Sequence, residues 1–360
     1  MGLVFFLVPF TIAWSAGTTK VDAVDDTSSY IESVEKSAWQ QPSIDTSNGS
    51  IDEINQQEVE IPAHKILGIL DASAHAEQSS YIQDHQKIGY INKDTSSNSG
   101  DLILVNKWTS LPENFTPNGL VRVDDKSNEI KLECTYSGLT IKKEVRSAVI
   151  NMFKAARDSN VSSIIISSTY RSYDFQNTLF KKKVKSLIKE FGKQAAYEQA
   201  SEIVAPPGTS EHQTGLAIDI TTPELLKTAD PLVTAFGNTI QGKWIYENSW
   251  KYGFIIRYQP DKKDITGIVY EPWHLRYVGT PHAEIMYKNN WCLEEYHRQL
   301  KNSKHMTFNG EDKSYDIFYT SLPFSQQVFD EVYEDQIGYR ISGDGKDGYI
   351  ITVEKNKDSK

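Results

Sequence analysis

The chain is poor in cysteine. Among 360 residues there are two, Cys134 and Cys292, too few for a disulfide framework or a cysteine-rich zinc site. A metal, if one is held, has to be held by histidine and carboxylate. Positive charge is also short. There are 38 Lys+Arg against 48 Asp+Glu, for a formal net charge of -10. Nucleic-acid binding needs a basic face to meet phosphates, so this balance speaks against a nucleic-acid partner. Long apolar runs are absent except near the start, where residues 2–14 (GLVFFLVPFTIAW) precede Ser15-Ala16-Gly17. As a helix, sixteen residues span about 24 Å, short of the roughly 30 Å hydrocarbon core. The run reads as the apolar and cleavage regions of a signal peptide, although no Lys or Arg stands in front of it. The expectation is an exported chain, with residues 1–17 a signal peptide or short membrane segment and a location in the cell envelope.

What is present divides unevenly. Residues 18–100 hold 14 acidic side chains and 5 lysines, which leaves the remainder of the chain almost neutral. Residues 18–62 are polar and contain few aromatics, a composition that cannot bury enough apolar area to offset chain entropy. Residues 18–101 are therefore expected to be a mostly disordered acidic tether, with a short helix near 63–74. Hydrophobic residues make up 39% and aromatics 11% of the chain, so a packed core is expected beyond it.

Order is expected from Leu102, with LILVN as a short strand-like segment. Val145, Ala148, Val149, Met152, Phe153 and Ala156 recur at helical spacing and predict an amphipathic helix over 142–157. Phe175, Leu179, Phe180, Val184, Leu187 and Phe191 predict a second helix, and 194–203 a third. Ile164–Ile166, Gly215–Thr221 and Phe254–Arg257 read as strands, 241–252 and 282–301 as helices, and the tail as turns and short strands. Helices and strands mix without regular βαβ alternation. That predicts an α+β fold, a small mostly antiparallel sheet with flanking helices. The expected domains are 102–300 and an accessory segment at 301–360.

Ser210–Asp219 reads SEHQTGLAID. Strand alternation separates Leu216, Ile218 and Ile220 from Ala217 and Asp219. His212 lies on the loop entering that strand, so loop and strand can present an imidazole and a carboxylate to one point. A second cluster, Glu271-Pro272-Trp273-His274, follows. Three ligands, His212, Asp219 and His274, would leave a fourth position for water, as catalytic zinc requires. Two imidazoles favour zinc over magnesium or calcium. Spacing alone is a weak signal, since eight histidines throw up many His/Asp pairs. The other six, His64, His75, His85, His282, His297 and His305, read as tether, surface or helix-face residues. Glu271 and His274 are three apart and would face opposite sides of a flat strand. A bend or bulge is expected there.

Ser-x-His-x-x-Gly-x-Ala-x-Asp followed by Glu-x-Trp-His resembles the VanY-type D-alanyl-D-alanine carboxypeptidases, of the zinc peptidase group that includes lysostaphin-like and hedgehog-like domains. The likeness extends to LVNKWTSLP (104–112), SSTYRSYDFQ (167–176), VAPPGTSEHQTGLAIDI (204–220), KYGFIIRY (251–258) and EPWHLRYVG (271–279). It covers about residues 102–300. The resemblance implies one zinc ion on His212, Asp219 and His274, in a surface cleft, with Glu271 as general base. It implies Arg171 on the substrate carboxylate or oxyanion, and Gln176 and Ser210 at the substrate end of the cleft. It implies removal of the terminal D-alanine from peptidoglycan stem peptides or precursors, by a chain expected to be monomeric.

Four rivals share or contest that reading. An L,D-carboxypeptidase or a D,D-dipeptidase would use the same zinc machinery with a different pocket. A non-catalytic zinc-containing binding module would use none of it, but a structural zinc usually closes its fourth position with protein, and Glu271 is retained. A serine D,D-peptidase is disfavoured. Ser33–Lys36 and Ser186–Lys189 fit Ser-x-x-Lys, but no Lys-Thr-Gly partner occurs.

Overall fold

The computed structural model describes residues 97–125, 131–311, 313–321 and 338–356. The apolar leader, the acidic segment through residue 96, the helix expected at 63–74, and His64, His75 and His85 lie outside the described residues. Two compact units divide the described chain. One is Leu104–Tyr296, and the other joins the segment through Ile103 to His297 and the residues after it.

The first unit contains strands β1 (Leu120–Arg122), β2 (Glu133–Cys134) and β3 (Thr140–Lys142), then helix α1 (Lys143–Asp158) and β4 (Ile165–Ser168). Helices α2 (Tyr173–Phe191) and α3 (Lys193–Ser201) follow, then β5 (Ala217–Thr221), α4 (Ile240–Asn248) and β6 (Phe254–Tyr258). The turn of helix α5 (Lys263–Thr266), β7 (Glu271–Tyr277) and α6 (His282–Asn289) complete it, with α7 (Leu293–Ser303) running into the second unit. The main sheet has the order β2-β4-β5-β7-β6. Only β2–β4 is parallel, and the remaining pairs are antiparallel. The α+β expectation holds.

Helix α1 buries Val145, Val149, Met152, Phe153 and Ala156, the stripe read from its periodicity. In α2 the stripe is narrower than expected. Phe180 and Val184 are buried, but Phe175 and Phe191 at the helix ends are exposed. Phe180 packs edge-on to Tyr197 of α3, with ring centres 5.2 Å apart. The helix expected at 282–301 is two helices, because Asn290 takes a left-handed conformation (φ 52°) that ends α6. LILVN forms no strand, although Leu102, Ile103 and Val105 are buried.

Strand β5 is buried along its whole length, so alternation does not separate a wet face from a dry one. It is the central strand, with β4 on one side and β7 on the other. That position is what gives it site residues from two neighbours. Helix α4 and the turn Thr234–Asn238 pack on β7, and α6 packs on β6.

The second unit is an antiparallel sheet of order β10-β11-β9-β8, formed by β8 (His305–Asn309), β9 (Lys313–Thr320), β10 (Gly338–Gly343) and β11 (Tyr349–Asn356). Phe318, Ile351 and Val353 form its core cluster, with Tyr339 and Ile341 against it. Residues 97–101, grouped by composition with the tether, are held on this sheet. Gly343 N donates to Ser99 O (2.8 Å), Gly345 N to Ser97 O (2.9 Å) and Leu102 N to Ser342 Oγ (2.9 Å). Asp316 of β9 ties three strands together, accepting from Thr307 Oγ1 (2.9 Å), pairing with His305 Nε2 (3.2 Å) and pairing with Lys355.

Cys134 and Cys292 are free thiols. Burial pushes them up to about 11 and about 12, so neither is a reactive thiolate at neutral pH. Among the described residues no helix is long and apolar enough to cross a membrane.

Candidate metal centre

The register of three strands assembles the site. Asp219 on β5 lies directly across from His274 on β7 and from Ser168 on β4. His212 comes from a 3-10 turn, Glu211–Thr214, closed by Gly215 in a left-handed conformation (φ 71°) before β5 begins. That positive φ strains any residue with a β-carbon, which here would also come within 2.9 Å of Leu120 Cδ2. Between β6 and β7 the pairing jumps from Ile256↔Leu275 to Tyr258↔Glu271. The extra residues on β7 form the expected bulge, and Glu271 Oε2 and His274 Nδ1 stand 3.6 Å apart.

His212, Asp219 and His274 are buried, and one donor atom from each lies within 4.8 Å of the other two. His212 Nε2 is 3.2 Å from Asp219 Oδ2, and His274 Nδ1 is 3.2 Å from Asp219 Oδ1. The two imidazole rings meet edge to face at 4.9 Å. His212 Nε2 and Asp219 Oδ1 are buried with no hydrogen-bond partner. Buried polar atoms are almost always satisfied, so these orphans mark a place for a ligand they share. His212 Nδ1 lies 2.6 Å from Thr169 O. That contact makes Nδ1 the protonated nitrogen and turns the bare Nε2 inward, the arrangement metal-binding histidines use. Burial holds the His212 imidazole down at about 4, with Arg171 adding to it, so it is neutral and able to ligate. For His274 burial also opposes charge, but Asp219 and Glu211 outweigh it and raise the ring to about 9. A bound cation has to displace that proton. Asp219 is held well below the carboxylate range; burial opposes this, but the Arg171 guanidinium and the His274 contact prevail. Two imidazoles and one carboxylate fit zinc.

The TYRS segment grips the His212 turn. Thr169 O takes the His212 contact, and Arg171 N donates to His212 O at 3.1 Å. Ser172 caps α2, accepting from Phe175 N at 3.2 Å, a contact worth about 1 kcal/mol in general. The Arg171 guanidinium reaches Ser168 Oγ (2.8 Å), Gln176 Oε1 (3.3 Å) and Asp219 Oδ2. Gln176 is buried and also donates to Ala205 O at 2.7 Å. Its Oε1 accepts from Arg171 Nη1 and so helps to orient that guanidinium. Ser210 is buried at the start of the His212 turn. Glu271 is buried as well. Burial pushes its carboxyl up to about 8, with His274 opposing and Asp219 adding.

A further set of residues was not among those expected. Glu211 is fully buried, and its Oε1 accepts from Arg257 Nε (2.7 Å) and Arg276 Nη1 (2.6 Å). Arg257 also pairs with Glu294 (2.6 and 2.8 Å), which accepts from Asn106 Nδ2 (3.0 Å). Burial would raise the Glu211 carboxyl, but the two guanidiniums hold it well below the usual range. The available signal was an arginine inside each of two apolar strands, FIIRY and EPWHLRY. A buried charge of that kind demands a partner. Tyr258 packs on the His274 ring at 4.9 Å. Of the histidines read as tether, surface or helix-face residues, two lie on helices and are buried: His282, whose Nδ1 is 2.7 Å from Tyr296 Oη, and His297.

A family model described as VanY, D-alanyl-D-alanine carboxypeptidase, matches residues 138–280. A putative carboxypeptidase, YodJ, of Bacillus subtilis is 42% identical over 226 residues, covering 62% of this chain and 76% of the relative. A D-alanyl-D-alanine carboxypeptidase of Enterococcus faecium is 34% identical over 255 residues, covering 71% of this chain and 75% of the relative. Among solved structures, the vancomycin-resistance D,D-dipeptidase VanXYg in complex with a D-Ala-D-Ala phosphinate analog is 28% identical, with a TM-score of 0.57. That likeness covers 72% of this chain and 95% of the other.

Proposed function

Since the chain belongs to the VanY family of D-alanyl-D-alanine carboxypeptidases, we infer that His212, Asp219 and His274 hold its zinc ion and that Glu271 and Arg171 carry its hydrolysis. The chain is a zinc-dependent D,D-carboxypeptidase. The observation that supports this assignment of residues is the convergence of three buried donors within 4.8 Å, with the Glu271 carboxylate 3.6 Å from His274.

Zinc bound there supplies a Lewis acid that brings the pKa of its water to about 7. Glu271 takes a proton from the attacking water and passes it to the leaving amine of D-alanine. The positive charge of a bound zinc would favour the ionised carboxylate that this work requires. Arg171 offers a planar cation to the substrate's terminal carboxylate or to the oxyanion. Ser168 and Gln176 hold that guanidinium in place. Thr169 fixes the tautomer of His212.

The substrate is a peptidoglycan stem or its precursor, ending in D-Ala-D-Ala. Export to the cell envelope is supported by the apolar run 2–14, and a tether by the acidic composition of 18–96. The deciding experiment compares D-alanine release from a stem pentapeptide, a stem tetrapeptide and free D-Ala-D-Ala, on metal-stripped and zinc-restored protein. Zinc-dependent release from the pentapeptide is expected. Preference for the tetrapeptide would make the chain an L,D-carboxypeptidase, and preference for the free dipeptide a dipeptidase. Release from none of them would leave a binding module.

A further inference from the structure

His274 carries two nitrogens with different neighbours. Nδ1 faces Asp219 Oδ1 (3.2 Å) and Glu271 Oε2 (3.6 Å), and so faces the site. Nε2 faces away, toward Glu211 Oε2 at 3.8 Å. Both atoms of this last pair are buried, and neither has a hydrogen-bond partner. The other oxygen of Glu211 is fixed from two sides, by Arg257 of β6 and Arg276 of β7. Arg257 is itself held by Glu294 of α7. An unsatisfied ring nitrogen thus stands before an unsatisfied carboxylate oxygen whose position two arginines determine. Metal-ligating histidines characteristically give their outer N–H to such a carboxylate, and contacts of this kind are often long before the site is filled.

We propose that Glu211 is a positioning residue for His274: it accepts the Nε2 proton, fixes the tautomer that leaves Nδ1 bare, and so holds the third zinc ligand in place. Glu211 touches neither substrate nor water in this role. Arg257 and Arg276 form the frame that aims its carboxylate. The inference rests on the reading of His274 as a zinc ligand.

The test separates aiming from mere packing. Zinc dissociation constants are measured on the metal-free full chain by competition with a chromophoric chelator, for the parent, Glu211→Gln, Glu211→Asp and Glu294→Gln. Glu211→Asp keeps the charge both arginines need but shortens the reach to His274. Glu294→Gln weakens the same buried charge chain at its far end without touching His274. Both Glu211 variants are expected to bind zinc about 10- to 100-fold more weakly, and Glu294→Gln within about threefold of the parent. With cobalt(II) in place of zinc, the visible absorption bands should shift in Glu211→Asp and not in Glu294→Gln. If Glu211→Gln does not fold, Glu211→Asp decides. A folded Glu211→Asp that binds zinc as tightly as the parent overturns the inference and leaves the site reading standing. A parent that binds no zinc overturns both.

Discussion

Glu271 and His274 are three residues apart in one strand, yet their side chains are assigned different work, and substitution should separate them. His274→Ala removes one of three ligands. Zinc content should fall well below one equivalent, with activity following it. Glu271→Ala touches no ligand, so zinc should stay near one equivalent while turnover falls by roughly 10² or more. Elemental analysis paired with D-alanine release measures both halves, and zinc loss from Glu271→Ala would reassign Glu271 as a ligand. Arg171 offers a second contrast. Its guanidinium meets Ser168 Oγ, Gln176 Oε1 and Asp219 at once, a planar geometry that an ammonium cannot copy. Arg171→Lys should therefore cost at least about tenfold in kcat/KM, or about 1.4 kcal/mol. Steady-state kinetics near the parent's would place Arg171 outside the reaction. The three donor residues and Glu271 were legible because they sit in short motifs. Glu211 was not, although it lies inside one of them. Its importance comes from Arg257 and Arg276, 46 and 65 positions away, and no local pattern carries that information.

At the level of elements, the sheet brings Asp219, His274 and Ser168 side by side, and the bulge on β7 turns Glu271 toward them. Helix α1 was readable because a single apolar stripe at period 3.6 has one interpretation. The order β2-β4-β5-β7-β6 was not readable, since the central strand β5 pairs on both sides with residues more than 50 positions away. The ends of α2 misled for a related reason: Phe175 and Phe191 continue the stripe past the surface it packs on. In the C-terminal sheet, Asp316 links β8, β9 and β11. Burial would raise its carboxyl, but His305, Lys355 and Thr307 lower it from 3.8 to about 2. The sign follows from that depression. Its stabilising contribution is complete above the ordinary value and is lost as pH falls from about 4 through about 2. Asp316→Asn should therefore melt below the parent at pH 7, with the gap closing by pH 2. Melting temperatures by circular dichroism at pH 7, 4 and 2 test this, and a gap independent of pH would deny the charge a role.

For the molecule as a whole, the segment leading into the catalytic unit belongs structurally to the sheet at the other end of the chain. Ser97 and Ser99 accept from Gly345 and Gly343, and a β-carbon on Gly343 would fall 2.0 Å from Ser97 O. A chain beginning at Ser97 should keep both its melting behaviour and its specific activity. One beginning at Leu104 should lose stability in the C-terminal sheet, and so should Gly343→Ala. Scanning calorimetry of the three proteins measures this, and an unchanged profile for the shorter chain would show the docking to be worth nothing. The same contacts define a load path. A pull on the chain upstream of Ser97 meets the hydrogen bonds to Gly343, Gly345 and Ser342 before any tension reaches Leu104 and the strands that carry the zinc donors. Residues 97–103 are thus placed like the strain relief on a cable: were the N-terminus anchored, traction on it would be taken up first by these hydrogen bonds to the C-terminal sheet.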